Sequence, residues 1–469
     1  MENTQPRCGH SRCKPLQPTL PPQLGPIEYR AVAELKPYAR NARRHPEKQL
    51  VKLAASITEF GFMVPALITS NGEVIAGEAR LEAAKRAGLD TIPVICIDHL
   101  KPAQIKGYRL ADNRLAELAE WDIDILASEI EELVAVDEMA IEVIGWEMGE
   151  IDILLDGSGS DAASDPADEE VEFPERPASR SGDLWLLGKH RLLCSSSLEK
   201  SSWERLMDGA VAAMAFTDPP YNVAVNGHIC GLGKVKHSEF AMASGEMSEG
   251  EFTAFLTDFL AAAAEQVRDG AVLAVCMDWR HLFELQTAAR AVGLTLLNMC
   301  VWNKSNGGMG SLYRSKHELV LILKKGKAPH TNNVELGKHG RYRTNVWDYA
   351  GVNSFGRTRM TDLADHPTVK PVALVADAIR DVTNAGDIVV DAFVGSGTTL
   401  LAAERTRRRA YGIELEPRYI DVAIRRWQAM TGLEAVLDAT GETYDVTAEA
   451  RFAQAATLAE SDESLPEAA

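Results

Sequence analysis

From about residue 27 onward, short apolar runs alternate with polar turns, and their spacing predicts the elements. Leu67-Ile68-Thr69 reads as a strand, Asn71-Gly72 as a tight turn, and Glu73-Val74-Ile75-Ala76 as the returning strand. A helix from Glu78 to about Ala87 follows, closed by Gly88. Residues 111–154 read as helical. After about Ser179 strand and helix alternate, the pattern of an α/β sheet with helices on both faces. Val211 to Phe216 is an apolar run that ends at Thr217-Asp218-Pro219-Pro220-Tyr221. Ser248 and Glu251 form a capping box ahead of a helix whose Phe252, Phe255, Leu256, Phe259 and Leu260 share one face. Strands are predicted at Ala271–Cys276, Leu296–Trp302, Glu318–Leu323, Ile388–Asp391 and Ala410–Ile413. Helices are predicted at Thr398–Arg408 and at Pro417–Met430, the latter with proline in its first turn. No internal repeat is visible.

A chain of 469 residues exceeds one ordinary core, and composition divides it. The expected parts are a disordered Pro-rich leader (1–26), a small α+β domain (27–110), an acidic helical segment (111–154), a flexible linker rich in Gly, Ser, Pro and acid (155–178), a large α/β domain (179–432) and an acidic tail (433–469). No apolar stretch of about 18 residues predicts a membrane span. The first residues lack the apolar core of a secretion signal. Seven scattered cysteines do not make a disulfide framework, so a cytoplasmic protein with no membrane partner is expected. Cys8, His10 and Cys13 lack a fourth ligand at zinc-like spacing, and no metal site is predicted.

The net charge of −19 argues against a nucleic-acid partner only until its distribution is read. Between Leu115 and Glu175 stand 21 acids and no Lys or Arg, so the rest of the chain carries a net +2. From Lys304 to Arg359 the balance reverses, with 11 Lys and Arg against Glu318, Glu335 and Asp348. That segment is where a phosphate backbone is expected to lie, the alternative being a solvated basic face.

Two turns carry chemistry. Val389-Val390-Asp391-Ala392-Phe393-Val394-Gly395-Ser396-Gly397-Thr398-Thr399 sets an acid and two glycines between a strand and a helix. Such a loop lets backbone approach a ligand at the carboxyl end of a parallel strand. It is neither GxGxxG nor a P-loop, since no Gly-Lys-Ser/Thr follows. Glu414 ends the next strand, 23 residues after Asp391, where an acid meets ribose hydroxyls in nucleotide-binding sheets. Together they read as a nucleoside site without a pyrophosphate cradle. Asp218-Pro219-Pro220-Tyr221 closes another strand, and its two prolines fix a rigid turn. The turn gathers a carboxylate, a carbonyl and an aromatic ring, the groups needed to hold a planar base bearing an amino group. A plain strand-closing turn is the other reading.

Taken as a pair, Asp218-Pro219-Pro220-Tyr221 and the Asp391–Thr399 loop resemble motifs IV and I of the DNA amino-methyltransferases, the N4-cytosine/N6-adenine family. His366-Pro367-Thr368-Val369-Lys370-Pro371 resembles that family's motif X, and Tyr411-Gly412-Ile413-Glu414 its motif II. The order is that of the β class, over roughly residues 180–432. This resemblance implies a circularly permuted, Rossmann-like sheet and S-adenosylmethionine as cofactor. It implies that Asp218, Pro219, Pro220 and Tyr221 hold a flipped base. Asp391, Phe393, Gly395, Ser396 and Gly397 would line the methionine end of the cofactor, with Thr398 and Thr399 opening the helix beside it. Glu414 would take the ribose hydroxyls, and Thr368 and Lys370 would complete the pocket. Ala392 departs from the proline common after the motif I acid; a small residue is tolerable there.

The family's target-recognition region corresponds to about 304–360. Arg314, Lys316, Arg341, Arg343, Arg357 and Arg359 are its candidates for double-stranded DNA, with Asn303, Asn306, Asn345 and Asn353 for base edges. Trp302 and Trp347 read as packing residues. Nearer the start, Val74-Ile75-Ala76-Gly77-Glu78-Ala79-Arg80 resembles the ParB/sulfiredoxin fold. Gly77, Glu78 and Arg80 are candidates for a nucleotide or phosphate at a helix start. Glu78 stands where sulfiredoxins keep their catalytic cysteine, which excludes that chemistry.

A ParB-like domain joined to a β-class methyltransferase resembles phage and prophage methylases. The Asp-Pro-Pro-Tyr form points to adenine N6 rather than cytosine N4, where the family more often shows Ser-Pro-Pro-Tyr. The alternatives are a cytosine-N4 enzyme and a ParB-like DNA-binding regulator whose methyltransferase half is inactive. Two intact motifs argue against the regulator. A missing GxGxxG argues against an oxidoreductase, and the motif order argues against RNA or glutamine methylation. The sequence leaves a homodimer and a restriction partner open.

Overall fold

The computed structural model describes residues 24–119, 121–136, 141–156, 166–168, 173–222, 246–305, 313–336, 343–350 and 370–463. Its contacts separate two units, Met1–Asp122 with Glu142–Gly145, and Ile123–Ile141 with Trp146–Ala469.

In the first unit, β1 (Ile27–Ala31), β2 (Ala66–Ile68), β3 (Val74–Ala76) and β4 (Thr91–Cys96) form a sheet of order β1-β4-β2-β3. β2 and β3 run antiparallel through the Asn71-Gly72 turn, where Gly72 takes a φ of 82°. Between β1 and β2 lies α1 (Glu47–Phe60). α2 (Glu78–Arg86) starts on Gly77, itself left-handed at φ 96°. Its Leu81 and Ala84 pack on Ala66, Ile92 and Val94 in a small core. α3 (Pro102–Ala116) buries none of its residues. Its Arg109 lies over the Tyr38 ring and donates to Glu73 Oε1 at 2.7 Å.

The second unit is built on one mixed sheet of order β11-β9-β10-β8-β7-β12-β13-β6-β5-β14. In chain order these are β5 (Leu184–Leu187), β6 (His190–Cys194), β7 (Ala212–Thr217), β8 (Val267–Met277), β9 (Thr295–Asn303), β10 (His317–Lys324), β11 (Val346–Asp348), β12 (Ile388–Asp391), β13 (Arg409–Glu414) and β14 (Val436–Leu437). The neighbours β8, β7, β12, β13 and β6 are parallel, and β10 and β5 close the set antiparallel. Every residue of β7 and β12 is buried, as expected of central parallel strands covered on both faces. Met214, Phe216 and Val389 point into one core with α9 (Val372–Val382), α10 (Thr398–Arg405) and α11 (Pro417–Thr431). Ala215, Ile388 and Val390 point into the other, with α6 (Lys200–Met207), α7 (Glu249–Gln266) and α8 (Leu282–Ala291). The five aromatic and leucine residues expected on one face of α7 are all buried, and its Ser248–Glu251 capping box is formed.

From β7 the chain moves outward to β8, and from β12 it moves the opposite way to β13. The crevice between β7 and β12 is therefore the topological switch point, where open α/β sheets bind ligands.

Three expectations about the flanks need correction. The acidic helices α4 (Ile123–Val136) and α5 (Met148–Asp156) are part of the second unit, and its boundary lies near residue 122, not in 155–178. Asp152 of α5 makes a bidentate pair with the fully buried Arg408 at 2.8 and 3.1 Å. Composition counts Asp152 as a solvated acid; burial of its partner makes it structural. The described part of the supposed linker also packs. Asp168 accepts from Val372 N at 2.9 Å, Phe173 meets Tyr419 edge-on, and the buried Asp421 of α11 accepts from Ala178 N and Ser179 N at 2.6 and 3.0 Å. Polar backbone satisfied by distant side chains can dock without an apolar run of its own. The supposed tail begins as structure too. β14 pairs with β5, and α12 (Tyr444–Glu463) buries Tyr444 against Trp185 and ties Arg451 to Asp183 at 3.0 Å.

Candidate active site

At the end of β12 the buried Asp391 shapes the glycine loop. It accepts from Phe393 N at 3.0 Å and from Thr399 Oγ1 at 2.6 Å. Burial pushes its carboxyl up to about 6. Gly395 takes φ 54° and donates its N–H to Glu414 Oε2 at 2.8 Å; the space where a Cβ would stand is open. Glu414 accepts from Glu416 N at 2.9 Å through its other oxygen, and burial raises its carboxyl to about 7. An open glycine flanked by two carboxylates suits a hydroxyl-rich nucleoside and repels a phosphate, so these residues fit S-adenosylmethionine.

Other loop residues have different occupations. Gly397 is left-handed, and a Cβ on it would lie 2.8 Å from Ala423 Cβ, so this glycine lets α10 approach α11. The Ser396 carbonyl and hydroxyl both accept from Arg426, at 2.7 and 3.0 Å. Phe393 packs against Phe255 and Phe259 of α7. Thr398 and Thr399 are buried at the start of α10. Gly412, named in the sequence only as part of the Tyr411–Glu414 motif, has a packing role there: a Cβ on it would collide with Val394 and lift the loop off β13.

At the end of β7, Asp218 keeps 26% of its side chain exposed. Its Oδ1 accepts from the Tyr221 hydroxyl, and its Oδ2 accepts from Lys370 Nζ at 2.5 Å. Lys370, expected to complete the cofactor pocket, thus pairs with the carboxylate of the Asp218–Tyr221 turn. Two carboxylates draw it there, since its Nζ also lies 2.8 Å from Glu318 Oε2. Glu318, at the start of β10, is buried and pairs on its other side with Lys304. The Tyr221 oxygen lies 3.2 Å from Lys370 Nζ and 3.3 Å from Glu318 Oε2. Burial, the largest influence, raises Asp218; Lys370 pulls it down, and Glu318 raises it again. Burial opposes ionisation of Glu318 too, but Lys370 and Lys304 outweigh it and hold the carboxyl down at about 2. Burial disfavours the Lys370 ammonium, yet Asp218 and Glu318 hold it above the ordinary lysine range. Asp218 is near enough to Asp391 for its charge to raise the latter.

The basic segment is not one patch. β10 is antiparallel to β8, so its beginning lies at the edge that carries Asp218 and its end at the opposite edge. Arg314 and Lys316 are exposed before β10, beside the exposed Tyr313. Lys325, past its far end, donates to Val267 O. Arg343 is not available to DNA as expected: it is held by Asp381 at 3.0 Å, Asp377 at 3.1 Å and the Tyr349 hydroxyl at 2.8 Å. Arg341, Arg357, Arg359, Thr368, Asn306 and Asn353 lie outside the described residues, as do Cys8, His10 and Cys13. Asn303 donates to Asp348 Oδ1 and Asn345 to Met299 O. Trp302 and Trp347 are buried. Past β8, on the edge of Asp218, Trp279 and Phe283 are exposed and Arg280 stacks on the Trp279 ring.

In the first unit, Gly77, Glu78 and Arg80 line a cleft of about 240 Å³ with Tyr38, Asn41 and Arg109. Glu78 accepts from Asn41 Nδ2 at 2.9 Å. The Arg80 guanidinium folds across Gly77, where a Cβ would stand 3.1 Å from Nη2, and its Nε is buried with no hydrogen-bond partner. Burial lowers its affinity for protons, and Asp112 offsets part of that. Among the described residues no group of three or more His, Cys, Asp or Glu is placed to hold a metal. Nor is any helix among them long and apolar enough to cross a membrane.

A mixed sheet with a glycine loop and an acid-bearing turn on either side of its switch point defines an α/β methyltransferase-like domain. Comparison with known proteins then narrows the class. Residues 212–425 match the N6/N4 family described as DNA methylase, residues 25–113 match the ParB N-terminal domain, and residues 124–181 match the ParB-methyltransferase HTH domain. Type II methyltransferase M2.DpnII of Streptococcus pneumoniae is 28% identical over 228 residues, 46% of this chain and 82% of the relative. Type II methyltransferase M2.MboI of Moraxella bovis is 25% identical over 225 residues, 46% and 81% respectively. The crystal structure of an M1.HpyAVI–SAM complex is 22% identical with a TM-score of 0.38, covering 50% of this chain and 97% of that one. The chain therefore carries an N6/N4 DNA methylase domain, with a ParB N-terminal domain and a ParB-methyltransferase HTH segment ahead of it in sequence.

Proposed function

We propose that this enzyme methylates N6 of adenine at specific sites in double-stranded DNA. The observation that carries the reading is the Asp218–Tyr221 turn at the end of β7, across the switch point from the Asp391–Gly397 loop at the end of β12. Glu414 would hold the cofactor's ribose hydroxyls, with Asp391 and the Gly395 backbone beside it. S-adenosylmethionine, when bound, supplies an electrophilic methyl group. Asp218 and the Pro219 carbonyl accept the two hydrogens of the target amino group, while Tyr221 stacks on the extruded base. Asp218, raised by burial, is a better acceptor for the proton the amino group loses than a surface aspartate is. The exposed Arg314 and Lys316 would meet phosphate, and the exposed Trp279 and Tyr313 would meet bases at the opening. Nucleosides from unmethylated DNA incubated with enzyme and cofactor, analysed by mass spectrometry, should contain N6-methyladenine. N4-methylcytosine would keep the class and overturn the base. Asp218→Ala should abolish methylation while cofactor affinity stays within about twofold; wild-type turnover by that variant would remove Asp218 from the mechanism.

We further infer that the cleft of the ParB-like unit takes a phosphate-bearing nucleotide. The support is Arg80, a half-buried cation with an unpartnered Nε at the start of a nine-residue helix. Titration with nucleoside triphosphates should show binding, weakened roughly tenfold or more by Arg80→Ala. Equal affinity in the two proteins would sink the assignment.

A further inference from the structure

We propose that Glu318 is a positioning residue for methyl transfer, one that acts through Lys370 to leave Asp218 able to accept the target amino group. The proposal rests on Asp218 being that acceptor. β10 reads His-Glu-Leu-Val-Leu-Ile-Leu-Lys, and an apolar residue at position 318 would serve the fold at lower cost. A buried carboxylate on such a strand costs several kcal/mol unless it is paired, so its presence needs a reason.

The geometry supplies one. Both Asp218 oxygens are already engaged, Oδ1 by the Tyr221 hydroxyl and Oδ2 by Lys370. An incoming amino group must compete with them. Were Lys370 to face Asp218 alone, the two would form a closed ion pair in a low-dielectric site. Glu318 Oε2, 2.8 Å from the same Nζ, shares the ammonium and gives it a second seat. Lys304 on the far oxygen of Glu318 completes the set, so that two carboxylates face two ammoniums. Without Glu318 the set would carry one excess positive charge. Positive charge also develops on the amino nitrogen as the new bond forms there, and an uncompensated cation beside it raises that barrier. Glu318 is not itself the proton acceptor: at about 2 its carboxyl is too weak a base. Proton acceptance stays with Asp218, and Glu318 acts at one remove.

The test is Glu318→Gln, which keeps the shape and deletes the charge. Its kcat should fall roughly 10- to 100-fold. Affinities for DNA and for S-adenosylmethionine should stay within about twofold. Emission from 2-aminopurine placed at the target base should still rise on binding. The acid limb of the kcat–pH profile should move to lower pH, because the charge that helps to raise Asp218 is gone. A structural role would not move that limb. Wild-type kcat, an unmoved limb, or a limb moved upward would each overturn the proposal. If the single variant does not fold, Glu318→Gln combined with Lys304→Met removes one charge of each sign, and the same downward move of the limb is required of it. An active Glu318→Gln beside a dead Asp218→Ala would refute this inference alone, whereas an active Asp218→Ala would remove its premise.

Discussion

Glu414 commits both oxygens to backbone N–H groups, yet burial still holds its carboxyl up at about 7, against an ordinary value of 4.5. The folded protein therefore binds more protons than the unfolded chain between about 4.5 and 7. This group's contribution to stability is present below that window and declines as pH rises through it. Hydroxyl donors prefer the ionised form, so cofactor binding should reverse the burial effect and release a proton. We expect wild-type affinity for S-adenosylmethionine to improve from pH 6 to 8 more than that of Glu414→Gln, as read by calorimetry. Identical pH dependence in both would refute the ribose role. Glu414→Ala should cost about 1–3 kcal/mol of cofactor binding, the penalty of unpaired hydroxyls. At this scale the sequence shows residues that share a short motif, such as Asp218 with Tyr221 or Asp391 with Gly395. It does not show Glu318, whose meaning comes from Lys370 across the fold. Arg343 was legible as a charge but not as one turned onto Asp377 and Asp381.

Among the elements, those with a strong period were legible. β12, β13, α7 and α11 lie within a few residues of where their apolar spacing puts them. Short strands of the edge, β11 and β14, have no such signature and emerge only from pairing, whereas α9 does carry one, with Val372, Val375, Ala376 and Ile379 on its buried face. α5 teaches the same lesson about charge. Its Asp152 is one of 21 acids in a segment with no cation, and nothing in that run marks it as the one that docks. Asp152→Ala would leave the Arg408 guanidinium buried without its bidentate partner, at a cost of about 3–5 kcal/mol. Chemical denaturation should show that loss, and a difference under about 1 kcal/mol would mean that Thr383 and the Thr406 carbonyl suffice for Arg408.

Taken whole, the molecule divides its charge by place. The segment that matches an HTH family carries no Lys or Arg up to Glu175, and its cations, Arg176 and Arg180, stand at its end. The cations free to release counterions from a phosphate backbone among the described residues of the catalytic domain include Arg314 and Lys316, at the edge of the sheet that bears Asp218. Net charge alone hides this arrangement, and motif order exposes half of it. That order has a further cost during synthesis. β7, which carries Asp218, is made early, while β12, which covers its second edge, follows only after some 170 more residues. Throughout that interval an apolar central strand has one bare edge, open to pairing with other chains. That edge is covered only when β12 is made, and β12 leads straight into the glycine loop, so the strand that shelters β7 also delivers half of the crevice.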